Sequence, residues 1–240
     1  MLKVIFFDAA GTLFEPREQV GRTYARLARG YGIAKSDEQV HNAFRRTFGS
    51  APGLAFGPGH GPTELRRLER QWWRDLVKAT FAELGTFTRF DDYFDELFAY
   101  FADPDNWCLH PQARPTLARL RTAGFSLGMI SNFDFRLYGI VHGLGLTNFF
   151  TSITISSEAG YAKPAPEIFQ VALAKHGAAA AEALHVGDTE QLDLAGALGA
   201  GIRGVLLEPM ADAPVRIEGR SARAASLAAV ADAVEGGWFL

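Results

Sequence analysis

The sequence of 240 residues has a single cysteine, Cys108. One thiol excludes an internal disulfide and any zinc cluster built on cysteines. Nothing around Cys108 would activate it, so it reads as a structural side chain rather than a nucleophile. An excess of charge of one sign is also lacking, with 24 Lys+Arg against 27 Asp+Glu and a formal net charge of −3. Phosphate backbones and anionic membranes are bound by basic surfaces, so neither nucleic acid nor membrane is expected as a partner. No run of about 18 apolar residues is present to span a bilayer. Asp8 interrupts the first apolar run too early for a secretory leader. Repeats and low-complexity tracts are absent apart from an Ala-rich patch at 178–181. The expectation is a cytoplasmic protein, monomer or homodimer. Its 48% hydrophobic and 21% charged residues suit a packed globular core.

What is there begins with Val4-Ile5-Phe6-Phe7-Asp8-Ala9-Ala10-Gly11-Thr12. A continuous apolar run of this kind reads as a buried parallel strand, and Gly11-Thr12 breaks it into a tight loop. Asp8 then stands at the carboxyl end of a strand, where open α/β sheets bind ligands. On this stretch alone a solvated turn residue and a functional carboxylate are equally good readings.

From Val20 the pattern turns helical. Val20, Tyr24, Leu27, Ala28 and Tyr31 share one face, and Val40, Ala43, Phe44 and Phe48 repeat the spacing. Ser50 to Pro62 is rich in Gly and Pro and reads as a mobile loop. Two longer helices follow, marked by Leu65, Leu68, Trp72, Leu76 and Ala79, then by Phe90, Phe94, Leu97, Phe98 and Phe101. Their aromatic stripe reads as a packing face, and four such helices predict an all-α bundle over residues 16–104. From residue 105 helices alternate with strands at 125–130, 151–155, 184–186 and 204–207, with Ser226 as N-cap of a last helix. Alternation of this kind predicts an α/β core, residues 1–15 and 105–240, with a doubly wound parallel sheet. The helical block leaves the core immediately after the Asp8 loop, a placement suited to a lid.

Three further polar stops fall beside Asp8 in this scheme: Ser131-Asn132 after a strand, Lys163-Pro164 before a helix, and Gly187-Asp188 with Asp193 beyond it. Their order and context resemble the motifs of the haloacid dehalogenase-like (HAD) hydrolase superfamily over essentially the whole chain. The Ile130-Ser131-Asn132-Phe133-Asp134 run and the Gln71-Trp72-Trp73 helix look like a hydrolase-domain-containing subgroup. The resemblance implies a Rossmann-like core with a helical cap, acting on a small phosphorylated substrate. It implies Asp8 as a nucleophile carrying an aspartyl-phosphate intermediate. It implies Mg²⁺ held by Asp8, Asp188 and the Ala10 carbonyl, with Asp193 completing the acidic set by orienting Lys163 or a water. Without a cation these carboxylates would repel one another. Ser131, Asn132, Lys163 and the backbone of Ala9 and Ala10 would hold the phosphoryl group.

The chain departs from that pattern at one position. The phosphatases of the family carry a second Asp two residues after the nucleophile, where this chain has Ala10. General acid–base help is worth about 10²–10⁴-fold. Three readings follow. The first is a phosphatase for esters that need little leaving-group protonation, or one that borrows a donor from His60, Glu15 or Asp134. The second is phosphonoacetaldehyde hydrolase-like or dehalogenase-like chemistry. The former would need a Schiff-base lysine at Lys35 or Lys78, and the latter does not call for the paired Asp188 and Asp193. The third is a phosphate-ligand-binding protein with little turnover. The Mg²⁺-dependent phosphohydrolase is the expectation carried forward.

Overall fold

The structure, a computed structural model, describes residues 1–209 and 215–237. Its centre is β1 (Val4–Phe7), whose four residues are all buried because helices cover both faces of the sheet. Period-two alternation sends Ile5 and Phe7 into one apolar cluster and Val4 and Phe6 into the other. β1 pairs in parallel with β4 (Ser126–Ser131) and with β6 (Ala183–Gly187). The full sheet also contains β5 (Ser152–Ile155), β7 (Arg203–Leu207), β8 (Val215–Glu218) and β9 (Ser221–Ala224), in the order β5-β4-β1-β6-β7-β9-β8. From β1 the chain winds outward through β4 and β5, then returns to the other side through β6 and β7. The winding therefore reverses at β1, and ligands of doubly wound sheets sit at that reversal.

A two-stranded antiparallel ribbon, β2 (Phe14–Pro16) with β3 (Trp107–Leu109), carries the chain out of the sheet and back. Between its strands lie α1 (Val20–Arg29), α2 (Asp37–Ser50), α3 (Pro62–Phe81) and α4 (Phe90–Tyr100). A Ser36–Gln39 capping box starts α2 and Pro62 starts α3, each meeting the demand of unsatisfied first-turn N–H groups. The four helices bury a core of their own, including Tyr24, Val40, Val77, Phe81, Tyr93 and Leu97. Around the sheet run α5 (Ala113–Thr122), α6 (Arg136–Gly143), the single turn α7 (Ser156–Ala159), α8 (Pro166–His176), α9 (Ala195–Gly199) and α10 (Leu227–Glu235). Ser226 caps α10 by accepting from the Ala229 N–H.

The α/β reading and the five principal strands agree with the structure. The β2–β3 ribbon and the β8–β9 hairpin were not expected. Three-residue strands are too short to show a period, and β9 (Ser-Ala-Arg-Ala) has no β-branched or aromatic side chain to signal it. The Ser50–Pro62 loop is irregular as expected, yet it is tied down. The Leu54 carbonyl accepts from Ser156 Oγ (2.6 Å), the Pro52 carbonyl from Trp72 Nε1 (3.1 Å), and the Gly57 N–H donates to Gly160 O (3.2 Å).

Candidate active site

Three neighbouring strands, β4, β1 and β6, end together, and each ends in a polar side chain named above. Asp8 follows β1, Ser131 closes β4, and Gly187-Asp188 closes β6. After Asp8 the chain makes a tight turn in which the Ala9 carbonyl accepts from the Leu13 (2.8 Å) and Thr12 (3.3 Å) N–H groups. The turn needs Gly11, whose φ is +97°; a Cβ there would also lie 2.5 Å from Asp188 Oδ2. This close approach lets Thr12 Oγ1 donate to Asp188 Oδ1 (3.2 Å) and brings the Asp8 and Asp188 loops together. Gly187 serves in the same way on the other side, since a Cβ there would meet Asp193 Cγ at 2.2 Å.

Lys163 is buried and lies between two carboxylates, its Nζ 2.6 Å from Asp8 Oδ1 and 2.5 Å from Asp193 Oδ1. Asp193 reaches it because residues 190–194 form a π-helical turn instead of an ordinary first α-turn. Both Asp193 oxygens are engaged: Oδ1 also accepts from His185 Nε2 (2.9 Å), and Oδ2 from the Thr189 N–H (3.1 Å). Asn132 acts on the lysine from its other end. Its side chain accepts from the Lys163 N–H (2.7 Å) and donates to the Lys163 carbonyl (2.9 Å), fixing the backbone that aims the ammonium.

The electrostatics follow from three carboxylates facing one ammonium. Burial pushes the Asp8 carboxyl up to about 6, with Lys163 opposing and the Asp193 and Asp188 charges adding. Desolvation and then the Asp193 charge also raise Asp188. Burial works against a charged Asp193, but Lys163 and His185 outweigh it and hold that carboxyl well below the usual range. Burial likewise opposes the Lys163 ammonium, and Asp8 and Asp193 together keep it above its ordinary value. Oxygen atoms of Asp8, Asp188 and Asp193 lie within 4.8 Å of one another, a spacing at which a divalent cation can be held. An all-oxygen donor set with excess negative charge suits a hard cation.

The expected residues gather at one place, except Ala9, which is fully buried and borders neither cavity. Asp8, Ala10, Ser131, Asn132, Lys163, Asp188 and Asp193 all line one cavity of about 560 Å³. A second cavity of about 400 Å³, walled almost wholly by apolar side chains, adjoins it; Ala10, Phe48, Trp73 and Phe133 line both. Of the three candidate proton donors, Glu15 lines this second cavity together with Ala10. Asp134 is fully buried and committed to Arg136 (2.6 and 2.9 Å) and to Trp73 Nε1 (2.5 Å). His60 is exposed, bonded to the Phe56 carbonyl, and borders neither cavity. Lys35 and Lys78, the lysines a Schiff base would need, border neither cavity as well.

The sequence reading missed His185 and the contacts of Asp134, Glu69 and Trp73. A histidine two residues before Gly187, inside an otherwise apolar buried strand, was the available signal for the first. The Trp73–Asp134, Glu69–Phe135 and Glu69–Ser157 contacts pair residues more than sixty positions apart, and no local pattern announces them.

The family described as haloacid dehalogenase-like hydrolase matches residues 2–201. Haloacid dehalogenase-like hydrolase domain-containing protein 3 of Danio rerio is 35% identical over 206 residues, covering 85% of this chain and 84% of that protein. A phosphoserine phosphatase of Thermus thermophilus is 28% identical over 222 residues, covering 86% and 89%. Among solved structures, the HAD-hydrolase YfnB of Bacillus subtilis, bound to magnesium, superposes with a TM-score of 0.72 at 17% identity, covering 98% and 99%. Among the described residues no helix is long and apolar enough to cross a membrane. The chain belongs to the haloacid dehalogenase-like hydrolases.

Proposed function

We propose that the protein is a Mg²⁺-dependent phosphohydrolase that cleaves small phosphate monoesters through Asp8. The observation that carries this reading is the buried Asp8–Lys163–Asp193 bridge at the carboxyl end of the central strand, with Asp188 beside it. Lys163 occupies Asp8 Oδ1 and leaves Oδ2 without a protein donor among the described residues. Oδ2 is the atom that would attack phosphorus. The new P–O bond forms on Asp8 as the ester P–O bond breaks, and the electron pair leaves with the alcohol oxygen. Water then attacks phosphorus, the P–O bond to Asp8 breaks with its electron pair returning to the carboxylate, and inorganic phosphate leaves while the water's proton passes to solvent.

Asp8, Asp188 and the Ala10 carbonyl would hold the cation, with Asp193 behind them. The cation would supply charge neutralisation between Asp8 and a phosphate dianion. Lys163 adds a second positive charge against the same oxygens. Ser131 Oγ, buried at the cavity wall, and the Asn132 and Ala10 backbone donate to the phosphoryl oxygens. Asp193 and the Asn132 side chain are positioning residues, because both act through Lys163. Residues 16–104 form the cap, which closes the site against bulk water and faces the leaving group.

The test is phosphate release from 4-nitrophenyl phosphate with and without Mg²⁺. Turnover that needs the metal and falls on the order of 10⁴-fold in Asp8→Asn is expected. A folded protein that releases no phosphate from any ester in the presence of Mg²⁺ would sink the proposal.

A further inference from the structure

The cavity of about 400 Å³ beside Ala10 has no part in holding phosphate, and its chemistry is unlike that of its neighbour. Its size falls in the small-ligand range of roughly 300–1,000 Å³. Protein interiors are otherwise close-packed, so a space this large among the rings of Tyr24, Phe44, Trp73, Phe98, Trp107 and Phe133 departs from the rule. Charge is almost absent from its wall. Arg136 is paired with Asp134 through two nitrogens and its guanidinium carbon lies over Phe98 at 3.9 Å and Trp73 at 4.9 Å. That leaves Glu15 as the one charged lining side chain without an ion-pair partner among the described residues. A leaving group bearing an ammonium and a carboxylate, such as serine, would be desolvated here with nothing to pair both charges.

The position of the cavity matters as much as its lining. It meets the phosphate cavity at Ala10, where the family's phosphatases place a carboxylic acid, and Phe48, Trp73 and Phe133 continue the wall across the junction. Replacing that acid by a methyl group removes the proton donor and makes the mouth apolar in one substitution. Both changes suit the same kind of leaving group. A phenol has a pKa near 10, against about 15.7 for water, so a phenolate departs without an acid where an alkoxide does not. An aromatic ring also gains the most from a cavity lined by aromatic faces and edges.

We infer that this cavity is the leaving-group subsite and takes an aromatic ring, so that the substrate class is aryl phosphate monoesters. The inference rests on the phosphohydrolase reading. In the step it describes, Asp8 bonds to phosphorus, the aryl–O–P bond breaks at phosphorus, and the phenolate keeps the electron pair. The phenolate takes its proton from solvent after release.

Two measurements test it, one of them without chemistry. Wild-type protein and Val20→Phe, which adds bulk at the cavity wall, are titrated with 1-naphthol by isothermal titration calorimetry. Saturable binding weakened about 10-fold in the variant is expected. The second measurement is kcat/KM for 1-naphthyl phosphate and for ethyl phosphate with Mg²⁺. Wild type should favour the naphthyl ester by at least about 10²-fold, and Val20→Phe should cut that ratio about 10-fold. A variant shown folded by circular dichroism that keeps the wild-type ratio and naphthol affinity refutes the subsite, whereas misfolding loses both esters alike. The subsite is refuted, with the phosphatase reading intact, by turnover of both esters at similar efficiency or by a wild type that binds no naphthol. Turnover of neither ester removes the leaving-group role, and the phosphatase reading falls with it only where 4-nitrophenyl phosphate and the other esters are left uncleaved as well. Naphthol binding then decides alone whether the cavity holds an aromatic ligand.

Discussion

The two cavities that meet at Ala10 are built by different means. The larger one is made at the ends of β4, β1 and β6, and Asp8, Asn132, Lys163 and Asp193 there are fixed by bonds to backbone or to one another. Lys163 is held at both ends, by Asn132 on its main chain and by two carboxylates on its ammonium. The smaller one is made mostly by side chains of α1, α2, α3 and α4, and its wall makes few polar contacts. A site that must stabilise developing charge needs dipoles fixed in advance, whereas a subsite that sorts leaving groups needs only volume and a surface of one polarity. On the proposed function, the difference places reaction and selectivity in separate parts of this chain and makes them separable by mutation.

The largest effect that sharpens this separation is expected at Lys163. Lys163→Met removes the ammonium that Asp8 and Asp193 share, and kcat should fall about 10²–10³-fold for every ester alike. Steady-state kinetics on naphthyl and ethyl phosphate check this. A loss confined to one ester would mean that the two cavities are not functionally distinct. A smaller and selective effect is expected at the junction. Ala10→Asp restores the acid and should raise kcat/KM for ethyl phosphate about 10²-fold. The naphthyl ester should change little or decline, because its leaving group needs no acid and the mouth of the apolar cavity becomes charged. An equal gain on both esters would count against the missing acid as the cause of selectivity.

The same division explains what was legible in the sequence. Asp8, Ser131, Lys163 and Asp188 sit at the ends of apolar strands or before a helix, so their places follow from local pattern plus chain order. Gly11 and Gly187 could be seen as turn residues, although the carboxylates they make room for could not. The helical segment was legible as four amphipathic helices. Which of their aromatic rings face the site was not, because a packing stripe and a cavity wall have the same periodicity. Trp73 illustrates the limit: it reads as one more stripe residue, yet its indole N–H meets Asp134 and its ring borders both cavities. Asn132 shows a milder version. Its position was legible, but its side chain serves the Lys163 backbone, a partner 31 residues away.

The smallest expected effect concerns what holds α3 against the sheet domain. Glu69 lies one helical turn before Trp73 and is completely buried. Its Oε1 accepts from Ser157 Oγ (2.6 Å) and from the Phe135 N–H (3.3 Å), and Oε2 from Arg66 (3.2 Å). Burial raises its carboxyl above the usual 4.5; the nearby Asp134 charge adds to the rise, while Ser157, Arg66 and the Phe135 amide oppose it. A carboxyl raised in the folded state binds a proton more readily there than in the unfolded chain. Its contribution to stability is therefore fully present below pH 4.5 and is lost as pH climbs through the higher folded value. Glu69→Gln keeps an acceptor for Ser157 and Phe135 and removes the titration. Measured by thermal unfolding, the variant should gain on wild type as pH rises above 4.5. Because Glu69 borders neither cavity, the naphthyl-to-ethyl ratio should stay the same. A changed ratio would show that α3 transmits its seating to the aromatic wall, and that the leaving-group side is less independent of the join than its lining suggests.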